Sequence, residues 1–172
     1  MTKLRIVLAA QLFFFFAWGG YLLLSKNTAS PEFYLETVPV DPRDLLSGTY
    51  VALSYEVSTP QAGNCPGVLN SARNFFVKLE SKGKTADTPA GIVPVYEATD
   101  CAAGSPGKEP GWVRAALRPN FPRPGASYGI ERFFLNENDP RKDARSGSVI
   151  AKVKIDRRRQ LVLLDLVKKY SR

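Results

Sequence analysis

Val38-Pro39-Val40-Asp41-Pro42-Arg43-Asp44-Leu45-Leu46-Ser47-Gly48-Thr49-Tyr50-Val51-Ala52-Leu53-Ser54-Tyr55 reads as strand, tight turn, strand. Pro39 and Pro42 fix their own φ and push the residue before each into an extended shape. Asp41 before Pro42 suits a turn or one helical turn, because its carboxylate can accept a backbone N–H two or three residues on. Arg43, Asp44, Leu45 and Leu46 complete that turn. Gly48 then permits a backbone angle that other residues resist. Beyond it the apolar pattern has period two. Val51, Leu53, Tyr55 and Val57 share one face, and Tyr50, Ala52, Ser54 and Glu56 the other. This predicts a strand with one face in a core. Tyr50 points away from that core, which fits either the lining of a groove or a second packing layer.

Upstream, Lys3 and Arg5 lead a run from Ile6 to Leu24 that is apolar except for Gln11 and the small pair Gly19-Gly20. About twenty helical residues span roughly 30 Å, the hydrocarbon thickness of a bilayer. Trp18 and Tyr21 lie toward the far end, where amphipathic rings favour the interface. A cleaved signal peptide is the competing reading, but its apolar core is usually about 7–15 residues. Pro31 directly after Asn27-Thr28-Ala29-Ser30 does not suit a peptidase site, and no cysteine follows the run for lipid attachment. The expectation is therefore an uncleaved signal-anchor over residues 1–24, a linker over 25–31 and an extracytoplasmic domain over 32–172. The leading basic residues keep the N-terminus in the cytoplasm and place the domain across the bacterial inner membrane, in the periplasm.

Composition narrows the chemistry. Of 172 residues, 44% are hydrophobic, enough for a core. The net charge is +8, with 24 Lys and Arg against 16 Asp and Glu. An extracytoplasmic domain does not meet nucleic acid, so anionic headgroups or an acidic protein surface are the available counterparts, beside plain solvation. There is no histidine, which removes Ser-His and Cys-His catalysis and most zinc or non-haem iron sites. No cofactor and no metal are expected. Cys65 and Cys101, 36 positions apart, each fall in a Gly/Pro-rich loop. They form either a disulfide, favoured in an oxidising compartment, or two free thiols. A bridge over such a loop contributes roughly 3–4 kcal/mol by chain-entropy reasoning.

The remaining pattern predicts an all-β, mainly antiparallel, barrel-like or sandwich-like domain. Strands are expected at Phe33–Val40, Asn74–Glu80, Gly91–Thr99, Gly111–Arg118, Ser127–Asn136, Val149–Ile155 and Leu161–Val167. Thr59–Leu69 reads as a loop and Ser81–Pro89 as a polar turn. Gly91–Thr99 and Gly111–Arg118 are expected to pair, around a loop from Asp100 to Gly111. The triplet Arg157-Arg158-Arg159 reads as a solvated hairpin tip. In Ser127–Asn136, alternation puts Ile130, Arg132 and Phe134 on one face and Glu131, Phe133 and Leu135 on the other. A carboxylate on an apolar face needs a partner, and Arg43 is the candidate for Glu131.

Gly48-Thr49-Tyr50-Val51-Ala52-Leu53-Ser54-Tyr55, preceded by Val40-Asp41-Pro42-Arg43-Asp44-Leu45-Leu46, resembles the signature of the GDYXXLXY family of bacterial membrane-anchored proteins. Tyr128-Gly129-Ile130-Glu131-Arg132-Phe133-Phe134 is similar to that family's second motif. Thr49 stands where the family's name has Asp. The resemblance implies a class and a location, with Asp41, Arg43, Asp44, Gly48, Tyr50, Tyr55, Tyr128 and Glu131 as motif residues. It implies companionship with larger multi-spanning membrane proteins, and it carries no reaction.

The expected function is thus a membrane-anchored binding or accessory domain that partners another membrane protein or envelope component. No catalytic residue is assigned. The alternative is a Ser-Lys hydrolase of signal-peptidase-like type, with Ser47 or Ser54 and Lys78 or Lys152, since burial can lower a lysine's pKa. No serine near the anchor has the Ser-Met-x-Pro setting of such enzymes. A third reading takes Asp41, Asp44 and Glu131 as a glycosidase-like acid/base set in a deep sugar-sized cleft.

Overall fold

A computed structural model of the chain describes residues 2–26, 31–39, 50–107, 109–119, 124–134 and 147–170. It divides into two compact units, Met1–Ser30 and Pro31–Arg172. The first is one helix, α1 (Thr2–Lys26). Its described side chains run from Arg5 to Tyr21 and are mostly exposed, Phe13 and Phe16 among them. They cover roughly 25 Å of helix, and among the described residues no helix is long and apolar enough to cross a membrane.

The second unit is mostly β, a sheet curled into a half-barrel. Its strands are β1 (Glu32–Val38), β2 (Tyr50–Ala52), β3 (Ser54–Tyr55), β4 (Asn74–Thr88), β5 (Gly91–Ala102), β6 (Trp112–Arg118), β7 (Gly125–Ser127), β8 (Arg132–Phe134), β9 (Val149–Ile155) and β10 (Leu161–Lys168). The main sheet runs β10-β9-β1-β5-β4-β6-β7, with β3 also paired to β1, and β2 pairs with β8 in a small separate sheet. Every pairing is antiparallel except β1 with β5, which is parallel. Inward residues alternate as the sequence leads one to expect. Phe33 and Leu35 on β1, Phe75, Val77 and Leu79 on β4, and Ala151 and Val153 on β9 fill one core with Val51, Leu53, Tyr55 and Val57.

Several expected elements are redrawn by packing. Residues 50–58 do not form one strand. The chain bends at Leu53, passes from the small sheet to the main one, and ends in a 3₁₀ turn at Glu56–Ser58. Burial of the same four residues survives the bend. Inside the expected loop Thr59–Leu69 a short helix, α2 (Cys65–Ser71), begins with Pro66 in its first turn, where proline's missing N–H has no cost. The polar stretch Ser81–Pro89 continues β4 as far as Thr88, because it extends past the core and both its faces meet solvent in the middle. Its partner β5 runs for 12 residues against 15 in β4, and the reversal is confined to Pro89-Ala90. The predicted pairing of Gly91–Thr99 with Gly111–Arg118 is wrong: β4 lies between β5 and β6 and pairs with both. Ile150, expected on a polar face, is fully buried in a second cluster with Ala86, Val93 and Val95 on the opposite side of the sheet.

The cysteines are bonded, Cys65 to Cys101, with Cα atoms 4.6 Å apart. Neither lies in a loop: Cys65 opens α2 and Cys101 is within β5. The bridge is buried and pins the helix to the sheet. Beside it the Asp100 carboxylate accepts from the Asn64 N–H at 2.9 Å and its neighbour Cys101 N–H at 2.8 Å. Gly63 has φ +55°, and a Cβ there would come within 2.5 Å of the same carboxylate, so both conformation and space require glycine.

The Arg157-Arg158-Arg159 tip is only partly solvated. Arg159 turns back with φ 60°. Its Nη1 and Nη2 donate to the carbonyls of Pro106 and Gly107 at 2.8 and 2.5 Å, and its Cζ lies 5.8 Å from the Phe76 ring centroid. The Arg159 carbonyl accepts from the Arg114 N–H at 2.7 Å. The β9–β10 turn therefore docks on β6, where β7 no longer covers its edge.

Candidate functional site

The two motif segments fold into one another. Tyr50, Val51 and Ala52 pair with Phe134, Phe133 and Arg132, and the Leu53 N–H continues the ladder to the Glu131 carbonyl at 2.8 Å. The second motif is not the continuous strand that alternation predicts. It is β7, a turn through Tyr128–Glu131, then β8. Gly129 sits in that turn at φ +80°, with open space around it, so backbone conformation alone demands glycine.

Two tyrosines close the assembly reciprocally. The Tyr55 hydroxyl donates to the Ile130 carbonyl at 2.7 Å, and the Tyr128 hydroxyl donates to the Val57 carbonyl at 2.7 Å. Each motif thus supplies a phenol to a backbone acceptor of the other. Both rings are buried. Burial, and secondarily the Glu131 charge, pushes both phenols far above their ordinary value, so they remain donors throughout the working pH range. Bends at Leu53 and in the 128–131 turn leave backbone groups without regular ladder partners, and the hydroxyls and Glu131 satisfy them.

Glu131 holds the turn itself. Its Oε1 accepts from the Tyr128 N–H at 2.5 Å and the Ser127 hydroxyl at 3.0 Å. This local use of the carboxylate answers its need for a partner. The expected ion pair with Arg43 falls outside the described residues, as do Asp41, Asp44 and Gly48.

The outer side of the small sheet is different in character. Tyr50 stands beside Phe134, with ring centroids 5.7 Å apart, and the Arg132 guanidinium lies 5.2 Å from the Tyr50 centroid. Phe134 is 73% exposed. A large aromatic left in water next to a stacked arginine is the composition that binding surfaces favour. Alternation placed Arg132 and Phe134 on one face, as found, but set Ile130 with them, since the turn at 128–131 resets the register and buries it. The signal in the sequence for the grouping with Tyr50 was the cross-strand match of Tyr50 with an aromatic from the second motif.

The alternative chemistries find less to work with. Lys78 lies 3.0 Å from Glu80 and 3.4 Å from Glu109. Its hydrogen bond to Glu80 raises its pKa. Lys152 is raised likewise by its hydrogen bond to Glu32, 2.5 Å away. A general-base lysine needs the opposite shift. Ser54 is buried on β3, and Ser47 lies outside the described residues. A groove of about 150 Å³ is lined by Glu56, Val57, Thr59, Pro60, Gln61, Glu97 and Ala98. Small-molecule sites usually run from about 300 Å³ upward. Among the described residues no group of three or more Cys, Asp or Glu side chains is placed to hold a metal.

No curated protein and no solved structure matches the chain. The family model described as "GDYXXLXY protein" matches residues 13–166, nearly the whole sequence, and the chain belongs to that family.

Proposed function

We propose that this GDYXXLXY protein is a membrane-anchored extracytoplasmic binding subunit whose outer motif face docks on another membrane protein. The observation that carries this is the Tyr50–Arg132–Phe134 face. It is exposed, it joins both signature motifs, and it is held rigidly from behind by Tyr55, Tyr128 and Glu131. A preorganised aromatic–arginine surface loses little side-chain entropy on docking. Support for the anchor is the apolar sequence from Ile6 to Leu24, led by Lys3 and Arg5, together with the exposed phenylalanines of α1. The N-terminus stays in the cytoplasm and the β domain lies in the periplasm.

The test is in-cell crosslinking followed by purification of the full chain from native membranes in mild detergent. Tyr50→Ala and Phe134→Ala variants are compared with the parent. A stoichiometric membrane protein, lost at least tenfold in either variant while the Cys65–Cys101 bond and the β spectrum persist, is the expected result. A partner captured equally by all three chains would move the interface elsewhere. Absence of any membrane partner would overturn the subunit reading.

A further inference from the structure

Backbone contacts bring the described arginines of the β domain outside the motif face together around β6. Arg114 and Arg118 project from the outer face of β6, and both are exposed. Arg73, also exposed, is held beside the far end of the strand by the Leu117 N–H, which donates to its carbonyl at 2.8 Å. At the near end, the bond from the Arg114 N–H to the Arg159 carbonyl brings in the β9–β10 turn, with Arg157 and Arg158 exposed on it. Arg159 itself lies over Phe76, the residue directly across from Arg114 in the β4–β6 ladder. Its guanidinium is bound to carbonyls, so its charge is not cancelled there.

Among the described residues, carboxylates oppose only part of the charge of Arg73, Arg114, Arg157 and Arg158. Ion pairs among the described residues engage Lys78, Lys84, Lys152 and Lys169, and none engages Arg73, Arg114, Arg157 or Arg158. Asp156 on the turn accepts from the N–H groups of Arg158 and Gln160 at 2.8 and 2.7 Å; it keeps its charge and offsets one of these arginines. Glu80 and Glu109 are both paired to Lys78.

We infer that this β6 face, from Arg73 through Arg118 and Arg114 to Arg157 and Arg158, binds the anionic headgroups of a lipid surface. The reason for a membrane rather than a protein is what the face lacks. Protein docking sites centre on a buried aromatic or aliphatic anchor. Among the described residues, the exposed large apolar side chains of the β domain are Ile92, Phe134, Val162 and Tyr170, none of them on β6, and Phe76 is shielded by Arg159. Spread cationic charge without an apolar centre suits phosphodiester headgroups, which reward charge density and not shape. The inference rests on the reading that the chain works at a membrane, and it adds how the domain is oriented there: β6 toward the lipid, the Tyr50–Phe134 face free for its partner.

The experiment reconstitutes the full chain into neutral phosphatidylcholine vesicles and into vesicles with about one third phosphatidylglycerol. Phenylglyoxal modification of each arginine is followed by mass spectrometry, and vesicle association by flotation. The expected result is slowing of about threefold or more at Arg114, Arg118, Arg157 and Arg158 in the anionic vesicles, reversed at about 0.5 M salt, with Arg132 unchanged. An R114E/R118E chain should lose the protection of Arg157 and Arg158. Flotation in both lipids with equal modification rates overturns the lipid face and leaves the anchor reading intact. Flotation only with anionic vesicles at low salt supports the face and overturns the anchor. Flotation in neither overturns both. Protection that requires an added envelope protein instead of phosphatidylglycerol overturns the face in favour of an acidic protein partner.

Discussion

Two parts of the β domain tie distant chain segments together, and they do so by opposite means. The motif clasp joins residues 50–58 to 125–134 through buried phenols donating to carbonyls and through Glu131 accepting from its own turn. The second part is an ionic knot. Lys84 on β4 lies 3.1 Å from Glu36 on β1 and also pairs with Glu56 of the 3₁₀ turn, while Lys169 after β10 pairs with the other oxygen of Glu36. Directional hydrogen bonds in a dry setting fix one geometry, and a missing partner there leaves a buried polar group unsatisfied. Ion pairs near the surface tolerate several geometries and are screened by salt. The protein places the first kind where the two signature motifs must hold an exposed aromatic face, and the second where it only needs to gather β1, β4 and the C-terminal strand.

Removing a ring from the clasp should break that contrast most visibly. Tyr128→Ala is expected to cost about 3–5 kcal/mol, from the cavity and the orphaned Val57 carbonyl together. Guanidinium unfolding monitored by tryptophan fluorescence measures it, and a loss under about 1 kcal/mol would show that Tyr128 is not part of the core. Deleting a hydroxyl alone is milder. Tyr55→Phe should cost about 1–3 kcal/mol through the unpaired Ile130 carbonyl, unaffected by salt between low and about 0.5 M. A strongly salt-dependent loss would contradict the neutral character of the Tyr55–Ile130 bond. Smaller again is Glu131→Gln, at about 1 kcal/mol, because the amide oxygen still accepts from the Tyr128 N–H but without the charge. Hydrogen exchange at Tyr128 should accelerate in that variant and stay unchanged at Lys84.

The knot gives the smallest effect and the only one with a pH signature. Burial works against the charged form of Glu36, yet hydrogen bonds from Lys169 and Lys84 outweigh it and hold its carboxyl below the ordinary value of 4.5. A depressed folded pKa means the stabilisation is fully present above about pH 4.5 and is lost as pH falls through the lower folded value. Glu36→Gln should therefore cost about 0.5 kcal/mol at neutral pH and low salt, with the difference from the parent vanishing in acid. A difference that persists unchanged in acid would place its origin in packing instead of charge.

Much of this was legible beforehand. The period-two runs of β1, β4 and β9 and the turn residues between them are local facts, and a half-buried strand shows them directly. Cys65 and Cys101 suggested their bond by count and spacing. The hidden part lay wherever a bend reset the pattern. Alternation carried Tyr50–Val57 and Ser127–Asn136 through as straight strands, and so put Phe134 with Ile130 and left Glu131 without a local partner. The extension of β4 to Thr88 was hidden because its middle, solvated on both faces, has the composition of a turn. Arg159 looked like its neighbours Arg157 and Arg158, and only the carbonyls of Pro106 and Gly107 distinguish it.

The sequence by itself determined the mostly β class, the family and the residues that face the core, because each depends on composition, motif or short-range periodicity. Tertiary structure alone decided which strands are neighbours, that the two motifs exchange phenols, and that Tyr50, Arg132 and Phe134 share an exposed face. Those contacts join residues some seventy or more positions apart: Tyr55 reaches Ile130 across 75 positions and Tyr128 reaches Val57 across 71. A side chain's periodicity records only whether it is buried, and the partner it meets is set by how the bent strands are brought together.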